Sequence, residues 1–140
     1  MNKQDSDVIE LIDVATHLGY FGYSVTASKD ANDWYRAHST DTWTFDYTKW
    51  RNFVCFRSYL KISKVDETTF KKNLCAVNDA QEGAGISQFH LQEINETEIH
   101  AYSWALLPGS YDRKTFGANL MLWTRDMDRL GIFIEHALAA

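Results

Sequence analysis

The chain is poor in the residues that break or staple a fold. It has one proline, Pro108, among 140 residues, and no low-complexity tract. That predicts no linker or disordered tail beyond the first few residues. Two cysteines, Cys55 and Cys75, are too few for a disulfide framework. No stretch approaches the roughly 20 apolar residues needed to span a bilayer. Met1 to Asp7 is polar and acidic, so no basic-then-apolar leader is read there. The expectation is a cytoplasmic protein with two buried, reduced thiols, free of any membrane. Without secretion, the glycosylation sequon Asn95-Glu96-Thr97 is a chance match.

Positive charge is also scarce. The net charge is −5, and the bases are unevenly spread. Residues 1–48 carry eight acids against three bases, and residues 73–111 carry five acids and no base. Lys49, Arg51, Arg57, Lys61 and Lys64 fall in a segment with no acid. An acidic chain repels a polyanion unless its bases gather in one patch, and these five are the candidates. The plainer reading is that they solvate one face of a strand pair.

Aromatic residues, in contrast, make up 14% of the chain. They crowd the stretch Thr40 to Leu60, which holds Trp43, Phe45, Tyr47, Trp50, Phe53, Phe56 and Tyr59. Aromatics interleaved with bases on strands are one way to stack single-stranded nucleic acid. The same alternation is the mark of a half-buried antiparallel sheet.

A length of 140 residues predicts one domain, 1–140. Ser6 or Asp5 can cap a first helix in which Val8, Ile9, Leu11, Ile12, Ala15 and Leu18 recur at helical spacing, and Gly19 stops it. An extended segment follows. From Asp33 the period falls to two. Trp34 to Ser39 reads as a short strand, and Trp43, Phe45 and Tyr47 alternate along a second. Thr48 to Asn52 turns the chain into a third, Phe53 to Ile62. On it Val54, Phe56, Ser58, Leu60 and Ile62 share one face, and Phe53, Cys55, Arg57, Tyr59 and Lys61 the other. Asp66 opens a second helix with Phe70, Leu74 and Val77 as its stripe, closed by Gly83-Ala84-Gly85. Ile86 to Ile94 and Glu98 to Leu107 form a hairpin. A two-residue turn at Glu96-Thr97 would set Phe89 opposite Trp104, Leu91 opposite Tyr102 and Glu93 opposite His100. After Pro108-Gly109, Asp112 starts a long last helix. Phe116, Leu120, Trp123, Met127, Leu130 and Ile134 step along it as one stripe, with Arg125, Asp126, Asp128, Arg129 and Glu135 opposite. The order α-β-β-β-α-β-β-α predicts an α+β fold, an antiparallel sheet of about five strands with helices packed on it.

Catalytic patterns are sparse. Cys55 sits among Phe53, Val54 and Phe56, a setting that makes a thiol inert. None of His17, His38, His90, His100 and His136 stands at metal-ligand spacing from another His or Cys. The predicted register puts His90 and His100 on opposite faces. Glu93, Glu96 and Glu98 cluster at a turn, where acids are solvated. The glycines at 83–85 run from helix into strand, the reverse of a phosphate loop. The reading is a non-enzyme with no cofactor and no metal.

Three segments carry a family likeness: HLGYFGYSV, FKKNLCAVNDAQEGAGISQFHL and ALLPGSYDRKTFGANLMLWTRDMDRL. With them the chain resembles the YbjN family of small bacterial proteins, regarded as regulators of sensory transduction. The likeness implies a type III secretion chaperone-like fold and a cytoplasmic protein that acts through protein–protein contacts. It implies no catalytic residue. The alternative is a chaperone-like protein, dimeric in that class, which wraps an extended client segment. An enzyme with a dispersed site and a single-strand nucleic-acid binder stay open as other classes.

Helices on one side of the sheet leave the other side bare. Trp50, Phe53, Arg57 and Tyr59 are therefore the candidate protein-binding residues, for an unidentified partner or a second copy of the chain, with no nucleic acid expected.

Overall fold

The computed structural model describes residues 11–27, 33–51, 53–63, 66–108 and 113–139. The Ser6 or Asp5 cap, Val8, Ile9 and the Asp112 start lie outside them. In chain order come α1 (Leu11–Tyr20), β1 (Ser24–Ala27), β2 (Tyr35–His38), β3 (Phe45–Trp50), β4 (Phe53–Ser63), α2 (Glu67–Glu82), β5 (Gln88–Glu93), β6 (Glu98–Pro108) and α3 (Arg113–Ala139). The strands form one sheet in the order β1-β2-β3-β4-β6-β5, and every neighbouring pair is antiparallel. The α+β class stands, with six strands where about five were expected. The extra one is β1, four residues long, in the segment read only as extended.

Gly19 does not stop α1. The helix runs on to Tyr20 and closes at Gly22, which adopts φ 91°. The Tyr23 N–H donates to the Leu18 carbonyl and the Gly22 N–H to the Gly19 carbonyl. This pair of bonds needs a left-handed residue, which glycine supplies without steric cost. Leu18 and Tyr23, brought together by the turn, are both buried. Gly22→Ala should cost about 1–2 kcal/mol, read as a lower midpoint in urea, because a Cβ is strained at that φ whatever space surrounds it. Among residues 14–20 of α1, whose side chains are described, Val14 and Leu18 are buried and Ala15 is only half-buried, while the predicted Leu11 and Ile12 side chains lie outside the description.

β3 extends to Trp50, so only residues 51 and 52 link it to β4, instead of the longer turn expected from Thr48. Arg51 takes φ 56°, as a two-residue hairpin requires. Val54 and Phe56 of β4 are buried on the face predicted for them, in one cluster with Phe45 and Tyr47, and Ile62 is buried further along the strand in a second cluster. Trp43 lies before β3 rather than in it, and its indole N–H donates to Asp128 of α3 at 2.6 Å.

Asp66 caps α2: its carboxylate accepts from the Thr69 N–H at 2.8 Å, which holds the carboxyl below its ordinary range. The buried face of α2 differs from the predicted stripe. It is Asn73, Ala76, Val77 and Ala80, while Leu74 is 40% exposed. The alanines let α2 lie close to α3. Arg129 of α3 reaches across to the Ala80 and Asp79 carbonyls, at 2.8 and 3.2 Å, and its guanidinium fills the space where a Cβ on Gly83 would stand.

α3 has 27 residues, about 40 Å at 1.5 Å per residue. Its whole predicted stripe is buried, from Phe116 to Ile134. Phe116, Leu120, Trp123 and Met127 join a core made with α1 and the inner sides of β2, β3, β4 and β6. Leu130 and Ile134 join a second core with α2, β5 and the far end of β6. One helix thus ties both halves of the sheet into a single layer. Asp126 departs from the expected polar face: it is buried, with both carboxylate oxygens turned to the loop between α2 and β5.

Candidate protein-binding face

Strand alternation sends one set of side chains to the helices and the other to the opposite side. That outer set comprises Arg36 of β2, Asp46, Thr48 and Trp50 of β3, Phe53, Cys55, Arg57, Tyr59 and Lys61 of β4, and their cross-strand partners on β6 and β5. No helix among the described residues covers it.

The four predicted residues all stand on this face, in two places. Trp50 and Phe53 are opposite each other at the end of the hairpin, with ring centroids 6.4 Å apart. They are 49% and 41% exposed, and the Arg51 guanidinium lies 4.8 Å from the Trp50 ring. Arg57 and Tyr59 stand further along β4. Leu106 of β6, 53% exposed and opposite Cys55, extends the apolar end of the patch.

Arg57 and Tyr59 belong to a ladder of rings that the periodicity of single strands does not assemble. The Arg57 guanidinium sits 3.9 Å from the Trp34 ring and 5.7 Å from Trp104. Trp104 stacks with His90 at 6.4 Å, and His90 with Tyr102 at 4.9 Å and an interplanar angle of 8°. Tyr102 meets Tyr59 at 5.4 Å, and Tyr59 stacks on His100 at 4.5 Å and 11°. The far end of His100 lies 3.3 Å from a Glu98 carboxylate oxygen. At the other end Asp46 receives Arg36 at 2.9 Å and Arg57 at 3.4 Å, so one carboxylate fixes two guanidinium groups.

The pairing of β4 with β6 sets Arg57 opposite Trp104 and Tyr59 opposite Tyr102, and His90 joins them because the β5–β6 register differs by one residue from the predicted one. His90 is opposite Tyr102, Gln88 opposite Trp104 and Gln92 opposite His100; Phe89 and Leu91 face Ser103 and Ala101 instead. His90 and His100 therefore share a face, with Tyr102 between them, contrary to the expectation. The cause is the turn. The Asn95 side chain accepts from the Thr97 N–H at 2.8 Å and its hydroxyl at 3.0 Å, and both Ile94 and Asn95 donate to the Glu98 carbonyl. Four residues, 94–97, connect the strands, Glu93 stands opposite Ile99, and this one-residue slip from the predicted register exchanges the two faces of β5. The Asn-x-Thr pattern first set aside as a sequon was the available signal.

The cysteines divide. Cys55 is buried, and burial pushes its thiol pKa up. Cys75 on α2 is exposed, against the expectation that both are buried. A thiol reagent should therefore modify one cysteine quickly in the native protein and the second only in denaturant, and Cys75→Ser should abolish the fast phase. Among the described residues no three of His, Cys, Asp and Glu converge on a point that could hold a metal ion. None of the described helices is long and apolar enough to cross a membrane.

A six-stranded antiparallel sheet with helices on one side defines the fold class. Among solved structures it is shared by YbjN from E. coli, a proposed transcription regulator, with a TM-score of 0.64 over 93% of this chain and 92% of that one at 10% identity. An uncharacterised protein from Methanothermobacter thermautotrophicus shares it at a TM-score of 0.62 and 9% identity, over 88% of this chain and 94% of the other. At such identities the likeness is one of fold, and the resemblance to YbjN holds at that level. No family model matches the chain, and no curated protein matches it in sequence.

Proposed function

We propose that this chain is a non-catalytic protein-binding module, a regulator of the YbjN kind, which works in the cytoplasm through the outer face of its sheet. The observation that carries the reading is the bare face itself. Trp50, Phe53, Tyr59 and Leu106 each leave 41–53% of their surface in water on one side of a sheet whose other side is packed. Large apolar side chains gathered in one place mark a partner site. Aromatic anchors and arginine are also the residue types that dominate interface energies.

The ladder supports a protein over a nucleic acid. Stacking of bases needs ring faces turned to solvent. Here His90, Tyr102, Tyr59 and His100 use their faces on one another, and His100 is buried, which leaves little ring face for a base.

The double substitution Phe53→Asp with Tyr59→Asp tests the reading. Both side chains are exposed, so circular dichroism and the thermal midpoint should change little. Self-association in sedimentation, or capture of a specific protein partner, should weaken at least about tenfold. A wild-type protein that stays monomeric at high concentration and shares every captured partner with the double variant would rule the face out.

A further inference from the structure

The middle of the sheet is open along part of one strand. β3 pairs with β4 only from Asp46 opposite Arg57 to Trp50 opposite Phe53, whereas β4 continues to Ser63 with β6 beside it throughout. Among the described residues no strand lies along the other side of Ser58–Ser63. Trp43 explains the gap. Its bond to Asp128, and the packing of its ring where a Cβ on Gly131 would come within 3.3 Å, draw the chain before Phe45 toward the helix layer and off β4. The Ser58 hydroxyl donates across the gap to the Thr44 carbonyl at 3.2 Å.

What remains is an open notch of about 320 Å³ whose walls include Arg36, Asp46, Arg57, Ser58, Tyr59 and Lys61. An unpaired stretch of strand presents backbone donors and acceptors at strand spacing, a template for another chain. The charged walls are three cations and one carboxylate, and that carboxylate is already engaged by Arg36 and Arg57. The notch is thus positive in a protein whose net charge is −5.

We infer that the notch receives an extended acidic peptide segment, which adds as a short strand beside Ser58–Ser63 and sets its carboxylates against Arg57 and Lys61. The inference rests on the protein-binding reading and narrows it to a partner class and a place. Six residues of open edge span about 20 Å. Backbone pairing supplies affinity there, and alternate side chains supply selectivity. A small free anion would need the cations but not the edge.

The test uses the full chain and labelled peptides of about eight residues, enough to cover the open edge with one to spare at each end. One peptide alternates valine with glutamate, and a second alternates valine with lysine. Two further glutamate peptides are N-methylated at every second residue, in either frame, which removes the N–H groups along one edge. The glutamate peptide should bind at least about tenfold more tightly than the lysine peptide. Lys61→Glu, at an exposed position, leaves two cations against two carboxylates and should remove most of that preference. At least one methylated frame should abolish binding, and hydrogen exchange at Ser58–Ser63 should slow in the complex. Equal binding of the two charges, indifference to methylation in both frames, or no binding of the glutamate peptide each overturns the inference. If the last occurs while Phe53→Asp with Tyr59→Asp still removes a captured partner, the protein-binding reading survives alone. If both experiments fail, both readings fall.

Discussion

Asp126→Ala should lower the free energy of unfolding by about 3–5 kcal/mol. The carboxylate accepts from three successive backbone N–H groups, Gly85 at 2.7 Å and Ile86 and Ser87 at 2.9 Å each. It is the clasp that holds the α2–β5 loop on α3. Alanine would leave those donors facing a small cavity with no acceptor, and each buried unpaired group costs about 1–3 kcal/mol. The loop has little room to find other partners, since Gly85 already lies close against Leu122. Asp126→Asn should lose less than alanine but still a large share. Its amide keeps one acceptor oxygen and turns a donor toward N–H groups that need to donate. Urea unfolding monitored by circular dichroism reads both losses, with the slope unchanged if only stability is altered. A loss below about 1 kcal/mol for alanine would show that the clasp is replaced by water.

Trp123→Ala should cost a similar amount, about 3–5 kcal/mol, by the removal of a large side chain from a close-packed core. Trp123 is fully buried and lies at the centre of an aromatic cluster, its ring 5.7 Å from Phe45 and 5.6 Å from Phe56, both edge-on. These contacts join α3 to β3 and β4, so the cavity would open between the layers. Trp123→Phe should be far milder, about 1–2 kcal/mol. Phenylalanine keeps most of the volume and removes an indole N–H that meets no acceptor among the described residues. The ratio of the two losses, from paired urea titrations, separates lost packing from lost polarity.

Neither effect is legible in the same way. Trp123 falls on a stripe that repeats every three or four residues, so its burial follows from helix geometry alone. Asp126 lies among Arg125, Asp128 and Arg129, and nothing local distinguishes it from a solvated acid. Its partners are about 40 residues away in the chain. Only the approach of the α2–β5 loop to α3 shows which carboxylate is buried. The face of α2 was missed for a related reason. Leu74 looks like core by hydrophobicity, yet the helix packs through Ala76 and Ala80 because small residues permit closer approach to α3.

The candidate face was half legible. Trp50, Phe53, Arg57 and Tyr59 were placed on the uncovered side of the sheet by strand alternation, and they stand there. Trp104, Tyr102 and His100 join them through the pairing of β4 with β6, strands about 45 residues apart that local spacing does not match, and His90 joins because the hairpin register turned on a single residue. The Asn95 side chain decides that register by making a turn of its own. A strand's facing is an all-or-none consequence of register, so the hydrogen-bonded asparagine turn put His90, rather than Phe89 and Leu91, on the side of Tyr102 and Trp104.

By itself, then, the sequence determined the alternation and helical stripes, the cap at Asp66, the α+β class and the bare side of the central strands. These depend on local spacing, and local spacing is written in the chain. Tertiary structure alone decided the burial of Asp126, the close contact of α2 with α3, the ladder from Trp34 to His100 and the open edge beside Ser58–Ser63. Each arises where segments distant in sequence meet, and the Trp43 anchor on α3 shows how one such contact, 85 residues apart in the chain, can leave a strand unpaired in the middle of a sheet.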